Sequence, residues 1–213
     1  MGTLLTLNNI SALSAILPLI AVALNYRNLD NILRIAAVFF LVAALFELIL
    51  ILAMRLGVAN NMPFLHSFIV ISISFFSVIY HKAFDTHLFR KTVFVTGSAA
   101  IVVVVSNALF LQGIWSYPSL SNTVHSILLI LFALLYFYQI FTKQEYVHIE
   151  KQALFWINAG VLIYFSVNIF LFMLFNRILE QQIQEFYAIH SVTNILSNIL
   201  YAIGLSCKPQ KTT

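Results

Sequence analysis

The chain has 213 residues, of which 62% are hydrophobic and 8% charged, with 11 Lys and Arg against 7 Asp and Glu. Soluble domains run near about 45–50% apolar and about 25% charged, so this composition excludes a water-soluble globular fold. One cysteine, Cys207, excludes a disulfide framework and a Cys-rich metal site.

In chain order, seven apolar runs predict seven transmembrane helices: Leu4 to Leu24, Ile35 to Met54, Phe64 to Ile79, Val93 to Leu111, Val124 to Phe141, Ala153 to Phe175 and Phe186 to Leu205. At about 1.5 Å rise per residue most of them match a hydrocarbon core near 30 Å; the third needs its flanks to complete the crossing. Pro18 is expected to kink the first helix. Glu47 in the second is the only formally charged side chain inside any run. The β-branched stretch Ile101 to Val105 lies within the fourth, where a lone strand would leave backbone groups unpaired in lipid. The expectation is an all-α integral membrane protein, a single seven-transmembrane-helix bundle over residues 1–213.

The basic residues set the expected orientation. With the N-terminus outside, the inner loops and tail hold Arg27, Arg34, Lys82, Arg90, Lys91, Lys143, Lys151, Lys208 and Lys211, and the outer side holds only Arg55 and Arg177. That asymmetry predicts an outside N-terminus and a cytoplasmic C-terminus. Trp115 and Tyr117 then fall at the outer boundary, and Tyr26, Tyr80 and Trp156 at the inner one. The positive balance needs no nucleic-acid partner, because anionic inner-leaflet lipids favour these side chains where they stand.

Polar side chains within the runs mark the candidate site. Counted inward from the outer ends, His66, His125 and His190 share one depth, within about two turns of the surface. A slightly deeper layer holds Glu47, Asn107, Asn168 and Asn194. His190, Asn194 and Asn198 are spaced i, i+4, i+8, which puts them on one face of the last helix. A carboxylate facing lipid costs about 2.5 kcal/mol or more on insertion scales, so Glu47 is expected to face the bundle interior and find a partner. These seven residues, Glu47, His66, Asn107, His125, Asn168, His190 and Asn194, are the expected ligand-binding set. Glu47 and the three imidazoles also form a donor set that suits zinc. The asparagines are equally suited to hydrogen bonding one helix to another. His81, His87, His148 and the acids Glu145, Glu150, Glu180 and Glu185 fall at loops or helix ends.

Some chemistries are excluded by pattern. No lysine lies in a run, which removes a retinal Schiff base. The last helix reads His190-Ser191-Val192-Thr193-Asn194, one imidazole short of the His-x-x-x-His that an intramembrane zinc hydrolase of the adiponectin-receptor or alkaline-ceramidase type carries, which weakens that reading without eliminating it, since His66 or His125 could replace the missing ligand. No phosphate-binding glycine loop, nucleophile elbow or internal repeat is present.

Phe155-Trp156-Ile157-Asn158, Leu162-Ile163-Tyr164-Phe165-Ser166 and Phe170-Leu171-Phe172, followed by Ile189-His190, Asn194-Ile195 and Asn198-Ile199-Leu200-Tyr201-Ala202, resemble the final two helices of multi-helix membrane sensor domains that precede histidine kinases in some bacteria. The resemblance covers about 50 residues and implies a sensor in a bacterial inner membrane, read out at the cytoplasmic end of its last helix. The sequence stops at Thr213, so kinase activity is not expected, and signalling would pass to a cytoplasmic or membrane partner. The resulting expectation is a receptor-like membrane protein that binds a small ligand, metal ion or lipid headgroup in an outward-facing polar pocket. A metal-dependent lipid hydrolase, with Glu47 as general base, is the enzymatic alternative. A structural subunit is the third reading. The 20 phenylalanines suit either lipid contact or a homodimer face.

Overall fold

The computed structural model describes residues 2–143, 149–181 and 184–207. Glu145, His148, Lys208 and Lys211 lie outside these residues, and so do the side chains of Arg177, Glu180 and Glu185. Among the described residues every regular element is helical, and seven helices are long and apolar enough to cross a bilayer, as in a multi-pass membrane protein.

The first crossing, Thr6–Asn28, is built from two pieces, α1 (Gly2–Ser14) and α2 (Ile16–Asn25), followed by a short turn at Tyr26–Asn28. The break falls at Ala15 because Pro18 has no N–H to give to the Ser14 carbonyl and its ring crowds that oxygen. The Ala15 N–H bonds back to Ala12 O instead, at 3.2 Å. The helix is interrupted at the single residue Ala15, whose backbone angles stay in the right-handed helical region.

The remaining crossings are α3 (Asn31–Arg55), α4 (Met62–Ala83), α5 (His87–Ser106), α6 (Ser119–Lys143), α7 (Ala153–Gln181) and α8 (Gln184–Ser206). Asp30 caps α3 by accepting from the Ile32 and Leu33 amides at 2.9 and 2.8 Å. At the other end Gly57, with φ of 72°, lets the chain turn left-handed while Val58 N–H returns to Ala53 O. The third crossing gains the flanks its short apolar core needed, reaching from Met62 to Ala83. The fourth continues beyond α5 as a π-turn, Asn107–Leu111, which the hydropathy pattern did not announce.

Neighbour relations define a ring. The first crossing packs on α3 and α8, and the circuit continues from α3 to α4, α6, α7 and back to α8, while α5 lies outside it against α4 and α6. The α7–α8 contact is made close by glycine: a Cβ on Gly160 would meet the Tyr201 ring, and one on Gly204 would sit 2.6 Å from the Ala153 carbonyl. Small residues bring helix backbones together where lipid supplies no hydrophobic drive between them. At the end carrying residues 84–86, a single side chain joins three helices. Asn158 on α7 accepts from the Tyr80 hydroxyl of α4 and donates to Ala133 O of α6 at 3.0 Å. Gln139 holds the α4–α5 corner through Asp85 N–H and Ala83 O, and Lys143 pairs with Asp85 at 2.6 Å.

Candidate functional site

The ring encloses a cavity of about 460 Å³, within the size range of small-molecule sites. Its walls are Phe39, Phe40 and Ala43 of α3; Leu65, Phe68, Ile69, Ser72 and Phe76 of α4; Asn122 and His125 of α6; Tyr164, Phe165, Leu171 and Phe172 of α7; and Phe186, Tyr187, His190, Asn194, Asn198 and Tyr201 of α8, with Tyr117 from the connection before α6. More than half of these side chains are aromatic. Phe40 against Tyr201 and Phe39 against Phe76, each with ring centroids 4.8 Å apart, close its deep end near the middle of the bundle. Tyr117 and Phe186 bring it to the end carrying the α3–α4, α5–α6 and α7–α8 connections.

The predicted site residues separate into three groups. His125, His190 and Asn194 line the cavity. His125 shares a hydrogen bond with Ser72 Oγ at 2.9 Å and rests edge-on against Phe165. His190 is held from behind by Asn168, which lines no part of the cavity but is wholly buried. Asn168 gives its Nδ2 to Tyr164 O at 2.8 Å, so its Oδ1 accepts from His190 Nδ1–H at 2.8 Å. That orientation leaves Nε2 as the acceptor of the neutral imidazole.

Glu47 is not among the residues that line the cavity. It follows Phe40 and Ala43 by seven and four residues on α3, and therefore shares the helix face that lines the cavity. It is half-buried and within electrostatic range of Tyr164. It makes no hydrogen bond or ion pair with a described residue.

His66 and Asn107 are occupied elsewhere. His66 Nε2–H donates to Ser116 O at 3.1 Å, and Asn60, ahead of α4, donates to Trp115 O at 2.8 Å, so α4 and the connection leading into it pin the connection before α6. Asn107 Nδ2 donates to Gln112 Oε1 and Ser121 Oγ at 2.8 and 2.9 Å, while its backbone carbonyl takes the Gln112 N–H at 3.0 Å. This knot widens the helix end into the π-turn. Among the described residues no three His, Cys, Asp or Glu side chains are arranged to hold a metal ion, so the structure does not assemble Glu47, His66, His125 and His190 into the expected zinc set.

Several contributors escaped the sequence reading. Asn194 donates to Ser11 Oγ at 3.0 Å and Asn198 to Ser14 Oγ at 2.8 Å, while Ser191 Oγ donates to Asn8 Oδ1 at 2.6 Å, making a polar ladder between α1 and α8. The spacing of Asn8, Ser11 and Ser14 along one helix was its only sequence signal. The tyrosines were missed as well. Tyr117 lies outside the crossings, and burial, reinforced by the nearby Tyr164 hydroxyl, raises its phenol above its ordinary pKa. It therefore meets the cavity as a neutral group. Comparison with protein-family models, curated proteins and solved structures returns no match to this chain.

Proposed function

We propose that this seven-helix chain is a receptor-like membrane protein that binds a small organic ligand in the cavity of the ring, with its N-terminus outside and its C-terminus in the cytoplasm. The observation that supports this reading is the cavity itself: about 460 Å³, aromatic-walled, with a few convergent polar groups held in fixed orientation by partners behind them. A purely structural bundle gains nothing from such a space, since an unfilled core volume forfeits packing contacts. The orientation rests on the excess of Lys and Arg in the connections opposite the cavity end.

Signalling is a population shift. Tyr164, His190 and their neighbours on α7 and α8 contact any occupant, and a ligand that prefers one arrangement of this pair changes what the opposite connections present to a cytoplasmic or membrane partner. The resemblance of these two helices to bacterial sensor domains points the same way, and to a bacterial inner membrane.

Native mass spectrometry on protein extracted gently from its own membrane tests the ligand site. The expected result is a retained small organic mass, lost in Ala43→Trp, which fills the cavity. If no mass is retained and Ala43→Trp only raises thermal stability, the cavity is a packing defect and the receptor reading fails.

A further inference from the structure

Several polar groups of the cavity present acceptors. Asn198 spends its Nδ2 on Ser14 Oγ, and the Ser14 proton is itself committed to Ser11 O at 2.6 Å, so the amide cannot be reversed. Asn194 likewise spends Nδ2 on Ser11, and Asn122 spends its own on the Tyr117 hydroxyl at 3.3 Å. Among the described residues the Oδ1 of each amide has no hydrogen-bond partner, and each NH2 carries two donors. None of these oxygens is sealed from access; the sealed, partnerless side-chain atoms among the described residues are His66 Nδ1, Ser77 Oγ and Asn107 Oδ1. His190 Nε2 adds another acceptor, and Glu47, one turn beyond Ala43 on the cavity-lining face of α3 and within electrostatic range of Tyr164, adds a carboxylate with no described partner. No Lys or Arg lines the cavity among the described residues. The tyrosine hydroxyls can serve either way.

We propose that the ligand is an organic cation: a protonated amine with apolar arms, its N–H groups directed to Glu47 and His190 Nε2 and its arms against the Phe and Tyr walls. This rests on the receptor reading above and names the ligand class. Three independent features converge on it. Aromatic faces attract a cation through their quadrupoles, most strongly where water is excluded. An ammonium brings only donors, which the open amide oxygens and His190 Nε2 can accept. An intramembrane carboxylate needs a counter-charge, and a ligand cation supplies one. An anionic ligand would face Glu47 and unpaired carbonyl oxygens, and a bare metal ion would lack a converging donor set.

Equilibrium binding to the detergent-purified chain tests the inference with two probes of nearly equal shape, dibenzylammonium and the neutral dibenzyl ether. Wild type is expected to bind the cation at least tenfold more tightly than the ether, with Glu47→Gln bringing that ratio close to one and Ala43→Trp abolishing binding of both. Equal or tighter binding of the ether, or a ratio unchanged in Glu47→Gln, overturns the cation assignment and leaves the cavity as a ligand site. Binding of both probes that survives Ala43→Trp, or binding of neither to wild type, overturns the site and the assignment together. The wild-type ratio decides the ligand charge even if Glu47→Gln does not fold.

Discussion

Asn168 and His190 form one unit across α7 and α8: the amide oxygen accepts the Nδ1 proton at 2.8 Å, and the amide nitrogen is anchored on the Tyr164 carbonyl of its own helix. The imidazole is thereby aimed with its other nitrogen toward the cavity. Asn168→Leu removes the acceptor and strands a buried N–H. The expected cost is about 1–3 kcal/mol, read as a lowered Tm in detergent. Asn168→Asp, which keeps an acceptor facing His190, is expected to lose less.

The ladder between the first and last crossings permits a double-mutant cycle. Ser14→Ala and Asn198→Leu, alone and together, are expected to give a coupling of about 0.5–1.5 kcal/mol, the range found for interhelical hydrogen bonds in membranes. Additive effects would mean that the 2.8 Å bond contributes nothing beyond what each helix finds elsewhere.

Gly204→Ala should be disproportionately harmful for a single methyl. Its Cβ would stand 2.6 Å from the Ala153 carbonyl, a backbone atom that cannot swing aside. Pushing α7 and α8 apart is expected to cost about 1–3 kcal/mol. Gly113→Ala gives a useful contrast, since nothing lies within 4 Å of the new Cβ and its cost comes only from the left-handed φ of 80°. That is about 1–2 kcal/mol.

Cys207, the one cysteine, reports the orientation without any engineering. A membrane-impermeant maleimide is expected to leave it unlabelled in intact cells and to label it in inverted vesicles; the reverse pattern would overturn the assigned topology. Burial raises the thiol above its ordinary pKa, and thiolate is the reacting form. The rise of labelling rate with pH in the inverted vesicles is therefore expected to be displaced upward from that of a free thiol under the same conditions.

The number of crossings was readable because length and apolarity are local properties, and the α1–α2 break because Pro18 acts within its own turn. Counting along helices gave His66, His125 and His190 one depth, yet His66 meets Ser116 in the connection before α6 while His125 meets Ser72, six residues further along α4. Azimuth was not readable either, since rotation about a helix axis is settled by packing between distant segments. Thus His66 turned to Ser116 while His190 turned to the cavity. The π-turn was hidden for the same reason. Its register is held by Asn107 bonding to Ser121, 14 residues away. Ser11 and Ser14 gave no sign that their partners lay 183 and 184 residues downstream.

That separation has a consequence for biogenesis. α8 is the least apolar of the seven crossings, and its Ser191, Asn194 and Asn198 each hydrogen-bond to the first crossing, which is synthesised well before it. The first crossing must wait in the bilayer without these interhelical partners until α8 arrives. Closure of the bundle is thus a late, long-range event that cannot run ahead of translation, and it joins elements with the highest loop-closure cost the sequence offers. Slowing insertion of α8 alone should leave six crossings waiting on a seventh, a state open to proteolysis until the two ends of the chain meet.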